Sequence, residues 1–327
     1  MKKWNQTQKL IHFLLILILV LVFLLSGLRI LESTVFSSGQ DREETIERKT
    51  ITRDGVEYFP RQDITVMLVM GIDQEGPVQD SGHYRNPGAA DVVMLLIFDE
   101  REENGRILYL NRDTMLTMPV LGLGGKQAGT NYGQLALAHT YGSGLEDSCE
   151  NTKNAVSDFL NGITIDYYVA ANMDAISILN DAVGGVTVAV EDDFSGVDPS
   201  ISKGTMTLRG EQAVNFVRSR KGLGDQLNLS RIQRQKTYLE GFTDAFHKTM
   251  EENPDFVVTV YDQVSPYLVS DCSVNTISGM LSRYKGYEIV EIVTPEGENI
   301  LDEEYYEFHV DPEQLDSLIL RLFYAPK

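Results

Sequence analysis

Six basic side chains crowd one short stretch of an otherwise acidic chain: Arg218, Arg220, Lys221, Arg231, Arg234 and Lys236, with Asp225 the one acid among them. The formal net charge is −20, so this local reversal has to have a cause. Guanidinium groups match phosphate oxygens bidentately, which an ammonium does not. If FVRSR, residues 216–220, is extended, Arg218 and Arg220 point to one side. Arg231, Arg234 and Gln235 fall at i, i+3 and i+4, on one helix face. Ser230 is a good N-cap for that helix. Arg231 and Arg234 then sit in its first turn, where backbone N–H groups and the dipole favour an anion. The loop KGLGDQLNLS is then expected to fold the two sets towards each other, so that four guanidiniums could converge on one anion. A solvated basic face is the plainer reading, and the exclusive use of arginine at these spacings argues against it.

A second set is acidic and lies at the ends of apolar runs. Asp73 follows the first run, in MGIDQ; Asp91 precedes the second, in AADVVML; Asp113 follows the third, in NRDTM, beside Arg112. Mg²⁺ takes one or two carboxylates together with substrate oxygens and water, and such strand ends suit it. Turns favour aspartate in any case, so only the set carries weight. His139, in LALAHTYG, reads as a packed histidine. No GxSxG, HExxH or P-loop pattern is present.

The elements that must position these groups follow an α/β pattern. Ile64–Met70, Val92–Phe98 and Arg106–Leu110 are unbroken apolar runs, which suit strands covered on both faces. Helical spacing appears over Ser148–Leu160 and Asp174–Val183, the latter ended by Gly184-Gly185. A strand at Val186–Val190 follows. A long helix is expected from Ser230 to about Thr249, with Ile232, Leu239, Phe242 and Phe246 as its apolar stripe. Then come a strand at Tyr287–Val293, a Pro-Glu-Gly turn and a last helix at Pro312–Phe323. The fold class expected is α/β: an α-β-α sandwich with a central mixed sheet, as one domain over residues 61–327.

Ahead of it, Ile11–Leu28 is apolar but for one His and one Ser. Eighteen residues of helix reach about 27 Å, close to the hydrocarbon thickness. Lys2, Lys3 and Lys9 precede the run, so the positive-inside rule leaves residues 1–10 in the cytoplasm and everything after the span outside. A cleaved signal peptide is the rival reading. The run is long for one, and no A-x-A site follows Leu25. Residues 29–60, polar and mixed in charge, read as a stalk with room for a short strand. The acidic balance excludes a nucleic-acid binder. Cys149 and Cys272 form no zinc pattern; a disulfide and two separate buried thiols both stay open.

Taken in order, these residues resemble the LytR–CpsA–Psr family, over about Ile64 to Gly241. The family's G-x-D is Gly71-Ile72-Asp73. Its R-S-D-T-x-x-L corresponds to AADVVML around Asp91, and its P-R-D-T to Asn111-Arg112-Asp113-Thr114. IDYYV (Ile165–Val169) and DAVGGVTV (Asp181–Val188) follow. The closing L-x-G-E-Q-A-x-x-F-V-R-x-R is met at Leu208, Gly210–Ala213, Phe216–Arg218 and Arg220, and R-x-x-R-Q at Arg231, Arg234 and Gln235.

The resemblance implies transfer of a glycopolymer, such as teichoic acid or capsule, from a polyprenyl-diphosphate carrier to peptidoglycan through a phosphodiester. It implies Mg²⁺ (or Mn²⁺) on Asp73 and Asp91. Arg112, Arg218, Arg220, Arg231, Arg234 and Gln235 hold phosphate, and Asp225 orients them. Asp91 or Asp113 assists deprotonation of the acceptor hydroxyl. Hydrolysis of the same lipid diphosphate and a non-catalytic lipid-diphosphate-binding scaffold are the alternatives. Two positions depart from the pattern. Ala89 stands where the family has arginine, with Arg85 upstream as the candidate replacement, and Asn111 stands for proline.

Overall fold

The computed structural model describes residues 50–327 except 220–233, 235–236, 239, 243, 247, 250–251, 254–255, 257–259, 261–262, 274–275, 277–278, 281–282, 285 and 303–304. The expected cytoplasmic tail, membrane span and most of the stalk therefore lie outside the described residues. Among those described, no helix is long and apolar enough to cross a membrane.

The chain runs β1 (Ile51–Arg53), β2 (Val56–Pro60), β3 (Ile64–Ile72), β4 (Ala90–Asp99), β5 (Asn104–Leu110), β6 (Met115–Leu121), β7 (Gln127–Gln134), α1 (Glu146–Phe159) and β8 (Tyr167–Asn172). It continues through α2 (Asp174–Ala182), β9 (Val186–Val190), β10 (Gly204–Leu208), α3 (Glu211–Arg218), β11 (Leu268–Ser270) and β12 (Glu288–Val293). It closes with β13 (Gly297–Asp302), β14 (Tyr305–Val310), α4 (Pro312–Phe323) and β15 (Tyr324–Pro326). The described residues form two compact units. One holds Gln74–Val78 and Ala171–Val290; the other holds residues 50–73, Gln79–Ala170 and Glu291–Lys327.

The fold is mixed α/β, with a central sheet in the order β11-β8-β3-β4-β5-β12. β3, β4 and β5 pair antiparallel. Val66–Val69 and Val93–Phe98 are buried without a break, as strands covered on both faces must be. The β3–β4 ladder slips once near its end. Gly71 faces Val92 while Ile72 faces Ala90, so Asp91 is the extra residue of a β-bulge. A bulge re-aims its side chain out of strict alternation.

In the unit that holds α2 and α3, α2 stops where Gly184 and Gly185 take φ of 81° and 89°. Their N–H groups return to Asp181 O and Asn180 O. The described residues between 234 and 249 are helical, and Tyr238, Phe242 and Phe246 are buried. Gly241 lies so close to β9 that a Cβ there would sit 2.3 Å from Thr187 O.

The sequence reading needs three corrections. Residues 51–60, placed in the stalk, form the β1–β2 hairpin, and β2 also pairs with β15. The Pro-Glu-Gly turn leads into a hairpin, β13–β14, before the last helix. Residues 216–218, considered as extended with 219–220, instead close a helix over 211–218, because Ala213, Val214 and Phe216 bury one face while Glu211 and Arg218 suit the two ends of the helix dipole. The last helix matches its expected bounds: Asp311 caps it by accepting from the N–H groups of Glu313 and Gln314, with Pro312 at its first position. Cys149 and Cys272 are buried thiols.

Asp99, the last residue of β4, anchors the hairpin end of the sheet. It is fully buried and accepts 2.7 Å bonds from both terminal nitrogens of Arg61 and a 2.9 Å bond from Arg106. The N–H groups of Arg101 and Glu102 donate to it as well. Burial pushes its carboxyl up, but Arg61, the Glu102 N–H and Arg106 outweigh burial and hold it well below the usual carboxylate range. Asp99→Asn should cost about 3–5 kcal/mol in urea unfolding at neutral pH, as expected for breaking a buried ion pair. Because the folded value is depressed, this stabilisation is complete above about pH 4 and is lost as pH falls through the folded value. The acid limb of the melting curve should therefore be shallower in Asp99→Asn than in the parent.

Candidate functional site

The bulge gives the site its first feature. Arg112 Nη1 donates to Asp91 Oδ1 in a direct ion pair. Arg112 Nε lies 3.5 Å from Asp113 Oδ1. All three side chains are partly exposed: 19% for Asp91 and 30% for both Arg112 and Asp113. One arginine thus joins a strand-end carboxylate to the carboxylate beside it in sequence, in a place solvent and solutes can reach. Asp73 lies past the bulge, exposed, with its N–H bonded to Ala89 O at 2.9 Å. Asp73 and Asp91 therefore occupy neighbouring strand ends.

The loop after β5 is held from several sides. Asn111 Oδ1 accepts from Asp113 N–H at 3.0 Å, and Asn111 O accepts from Thr114 N–H at 3.0 Å. Asparagine in place of the family's proline thus makes its own side-chain-capped turn. The N–H groups of Ala136 and Leu135 bond Arg112 O and Thr114 O. Phe308 N–H on β14 bonds Asp113 O at 2.8 Å. Gln134 Nε2 donates to Asp113 Oδ1 at 3.1 Å and to Tyr306 O at 2.8 Å.

The segment leading to Asp91 is pinned by a 3-10 turn over Leu135–Tyr141. Buried Asn86 Nδ2 has His139 O, Gly142 O and Ser148 Oγ within hydrogen-bonding distance for its two hydrogens, and Asn86 Oδ1 accepts from Gly88 N–H. His139 Nδ1–H donates to Gly88 O at 2.7 Å. Burial pushes this histidine's pKa down and keeps the ring neutral. The guanidinium of Arg85 lies 4.6 Å from the centre of the Tyr141 ring, in cation–π contact. The same turn, through Leu135 and Ala136, holds Arg112 and Thr114. It therefore sets both edges of the Asp91–Arg112 pair. Sequence reasoning did not find Asn86 or Gln134 and set His139 aside. The Asn-Pro-Gly run at 86–88 signals a turn, but nothing in it says what Asn86 would bond.

In the other unit, Arg218 ends α3. It is 46% exposed and lies 3.6 Å from the still more exposed Glu75, a pairing worth little. Arg234 was expected to face phosphate and instead faces inward. It is buried, with Nε bonded to Phe216 O at 3.0 Å, its two terminal nitrogens to Asp192 and to Ser219 O, and its plane over Phe194. Phe216 O and Ser219 O are carbonyls at the end of α3, which the helix itself leaves unsatisfied. A buried guanidinium needs such acceptors, and they leave it committed. Arg220, Asp225, Arg231 and Gln235 lie outside the described residues.

Among the described residues no group of three or more His, Cys, Asp or Glu forms a metal cage. Asp73 and Asp91 are carboxylates at neighbouring strand ends, the kind of oxygen ligand that Mg²⁺ takes. Arg112 holds one of the two.

Known proteins share this arrangement of elements. The chain is 25% identical over 270 residues to the polyisoprenyl-teichoic acid–peptidoglycan teichoic acid transferase TagT of Bacillus subtilis, covering 80% of this chain and 77% of TagT. It is 28% identical over 215 residues to TagU of Halalkalibacterium halodurans, named for the same transfer, covering 64% of this chain and 63% of TagU. In that match it spans less than two thirds of its relative's length. The crystal structure of B. subtilis TagV superposes with a TM-score of 0.58 at 23% identity, over 80% of this chain and 96% of that one, and so shares the fold. The model of the LytR_cpsA_psr family matches residues 30–322, and the chain belongs to that family, LytR–CpsA–Psr.

Proposed function

We propose that this protein transfers a glycopolymer from a polyprenyl-diphosphate carrier to peptidoglycan. The observation that carries the reading is the Asp91–Arg112–Asp113 group at the bulged strand end, in a chain of this family. TagT and TagU are named as teichoic acid transferases with a polyisoprenyl donor and a peptidoglycan acceptor, which supports the same class of donor and acceptor here.

The reaction is phosphoryl transfer by positioning and charge stabilisation. A muramic-acid hydroxyl attacks the phosphorus bonded to the sugar. The bond from that phosphorus to the bridging oxygen breaks, and polyprenyl phosphate leaves. By the family resemblance, Arg112, Arg218, Arg220 and Arg231 would meet the charge on the phosphate oxygens, with Gln235, Asp225 and Arg85 in supporting roles. Arg234 supports the end of α3 instead of binding phosphate. Asp91 is paired directly with Arg112, whereas Arg112 Nε stands 3.5 Å from Asp113, so Asp113 is the more loosely held carboxylate and is taken as the acceptor for the hydroxyl proton. Asp73 and Asp91 would hold Mg²⁺ (or Mn²⁺), which when bound neutralises diphosphate oxygens. Residues 11–28 would anchor the protein in the membrane with residues 1–10 cytoplasmic and the remainder outside, where the lipid carrier and the wall meet.

Transfer of labelled glycan from a synthetic polyprenyl-diphosphate donor to peptidoglycan oligomers should occur and should be lost on chelation. Release of free phosphorylated glycan with no product on peptidoglycan would sink the proposal and point to hydrolysis. Two arginines separate binding from support. Arg218→Ala should lower transfer about 10- to 100-fold, the equivalent of one charge-assisted bond. Its stability should stay within about 0.5 kcal/mol of the parent, as for an exposed side chain. Arg234→Ala should instead lose about 3–5 kcal/mol in urea unfolding, since it strands Asp192 and two carbonyls.

A further inference from the structure

Gln134 is the last residue of β7, opposite Met115. Its carboxamide nitrogen carries two hydrogens, and both have acceptors: Asp113 Oδ1 at 3.1 Å and Tyr306 O at 2.8 Å. A carboxylate and a main-chain carbonyl are acceptors, so the nitrogen and not the oxygen must face them. Arg112 Nε also approaches Asp113 through Oδ1, at 3.5 Å. Among the described residues, both of these side-chain contacts on Asp113 thus use Oδ1.

We propose that Gln134 is a positioning residue that grips Asp113 by Oδ1 and thereby presents Oδ2 to the attacking hydroxyl. The inference rests on the reading above, in which Asp113 takes the acceptor's proton. Burial does not call for this contact. Asp113 is 30% exposed and Tyr306 57% exposed, so water could serve either oxygen at little cost. What water cannot do is fix the direction of the carboxylate. The main chain of β14 reinforces the grip, since Phe308 N–H bonds Asp113 O and Thr114 bridges Phe308. The β13–β14 hairpin therefore holds Asp113 twice, once through the backbone and once through Gln134. In the reaction, the hydroxyl O–H bond breaks, its proton passes to Asp113 Oδ2, and the new O–P bond forms as polyprenyl phosphate departs with the bridging oxygen's electrons.

The test uses the full chain, a synthetic polyprenyl-diphosphate-linked saccharide as donor and uncrosslinked peptidoglycan oligomers as acceptor. Asp113→Asn, Gln134→Leu and Gln134→Glu are compared by kcat, by KM for donor and acceptor, and by melting at each pH. Asp113→Asn should abolish transfer. Gln134→Leu keeps the shape without the donor; it should lower kcat about 10- to 100-fold, as for loss of a group that orients a reacting ligand, with donor KM unchanged. Gln134→Glu should be poor at about pH 7.5 and regain activity relative to the parent as pH falls to about 5 and below, where the new carboxyl, its proton favoured by the neighbouring Asp113 carboxylate, can donate again.

Full activity in Asp113→Asn would defeat the base assignment and the proposed mechanism with it. An inactive Asp113→Asn beside a Gln134→Leu at parental kcat would overturn the role of Gln134 alone. Should Gln134→Leu melt too early to assay, the Gln134→Glu series decides: no relative recovery at low pH overturns the inference.

Discussion

A guanidinium that must serve two carboxylates at once constrains everything around it. Arg112 pairs with Asp91 and approaches Asp113, and these come from two different strand ends. A one-residue slip in the β3–β4 ladder would turn Asp91 to the opposite face. The bulge at Asp91 fixes where the slip is and which way the side chain leaves the sheet. The buried run Val93–Phe98 then resists any other register, since shifting it would carry apolar side chains out of a layer covered on both faces. Hydrophobic packing in the sheet thus sets the position of a partly exposed polar group at its end.

The support around that group is built of short-range polar bonds. The 3-10 turn at Leu135–Tyr141 bonds the Arg112 loop with its backbone at one end. At the other end it holds the approach to Asp91 through Asn86 and His139. A neutral, buried histidine suits this job because its Nδ1–H can donate to a carbonyl without bringing a charge into the interior. Arg85 stacked on Tyr141 extends the same unit towards solvent. Its four-residue offset from Ala89 is spanned by a turn whose geometry Asn86 dictates.

Much of the fold was legible from apolar patterning. The three buried strands, α1, α2 and α4 follow directly from runs and periodicity, and the caps at Asp311 and Gly184-Gly185 mark two helix ends. The failures have physical causes. An extended FVRSR would put Arg218 and Arg220 on one side. Yet Ala213, Val214 and Phe216 make a helical face, and the tertiary contact of that face decides. The β1–β2 hairpin was hidden in a polar segment, because its strands are largely exposed and its partner, β15, is about 260 residues away in sequence. The strand-end acids could be picked out from the apolar runs that they flank. Their hydrogen-bonding surroundings could not, since Gln134 and Asn86 make contacts between residues 21 to 172 positions apart.

Arginine identity alone also does not tell a ligand-binding side chain from a structural one. Arg218 and Arg234 stand in one basic stretch and carry the same charge, but one is half in water and the other is buried. A buried guanidinium needs acceptors for its N–H groups, and Arg234 finds them in two carbonyls of the α3 terminus and one carboxylate. Those bonds fix the end of the helix from which Arg218 projects. Replacing Arg234 with lysine would keep the charge but could not reach three acceptors in one plane. Of the two described arginines of this stretch, then, burial commits Arg234 to the fold and leaves Arg218 open to solutes.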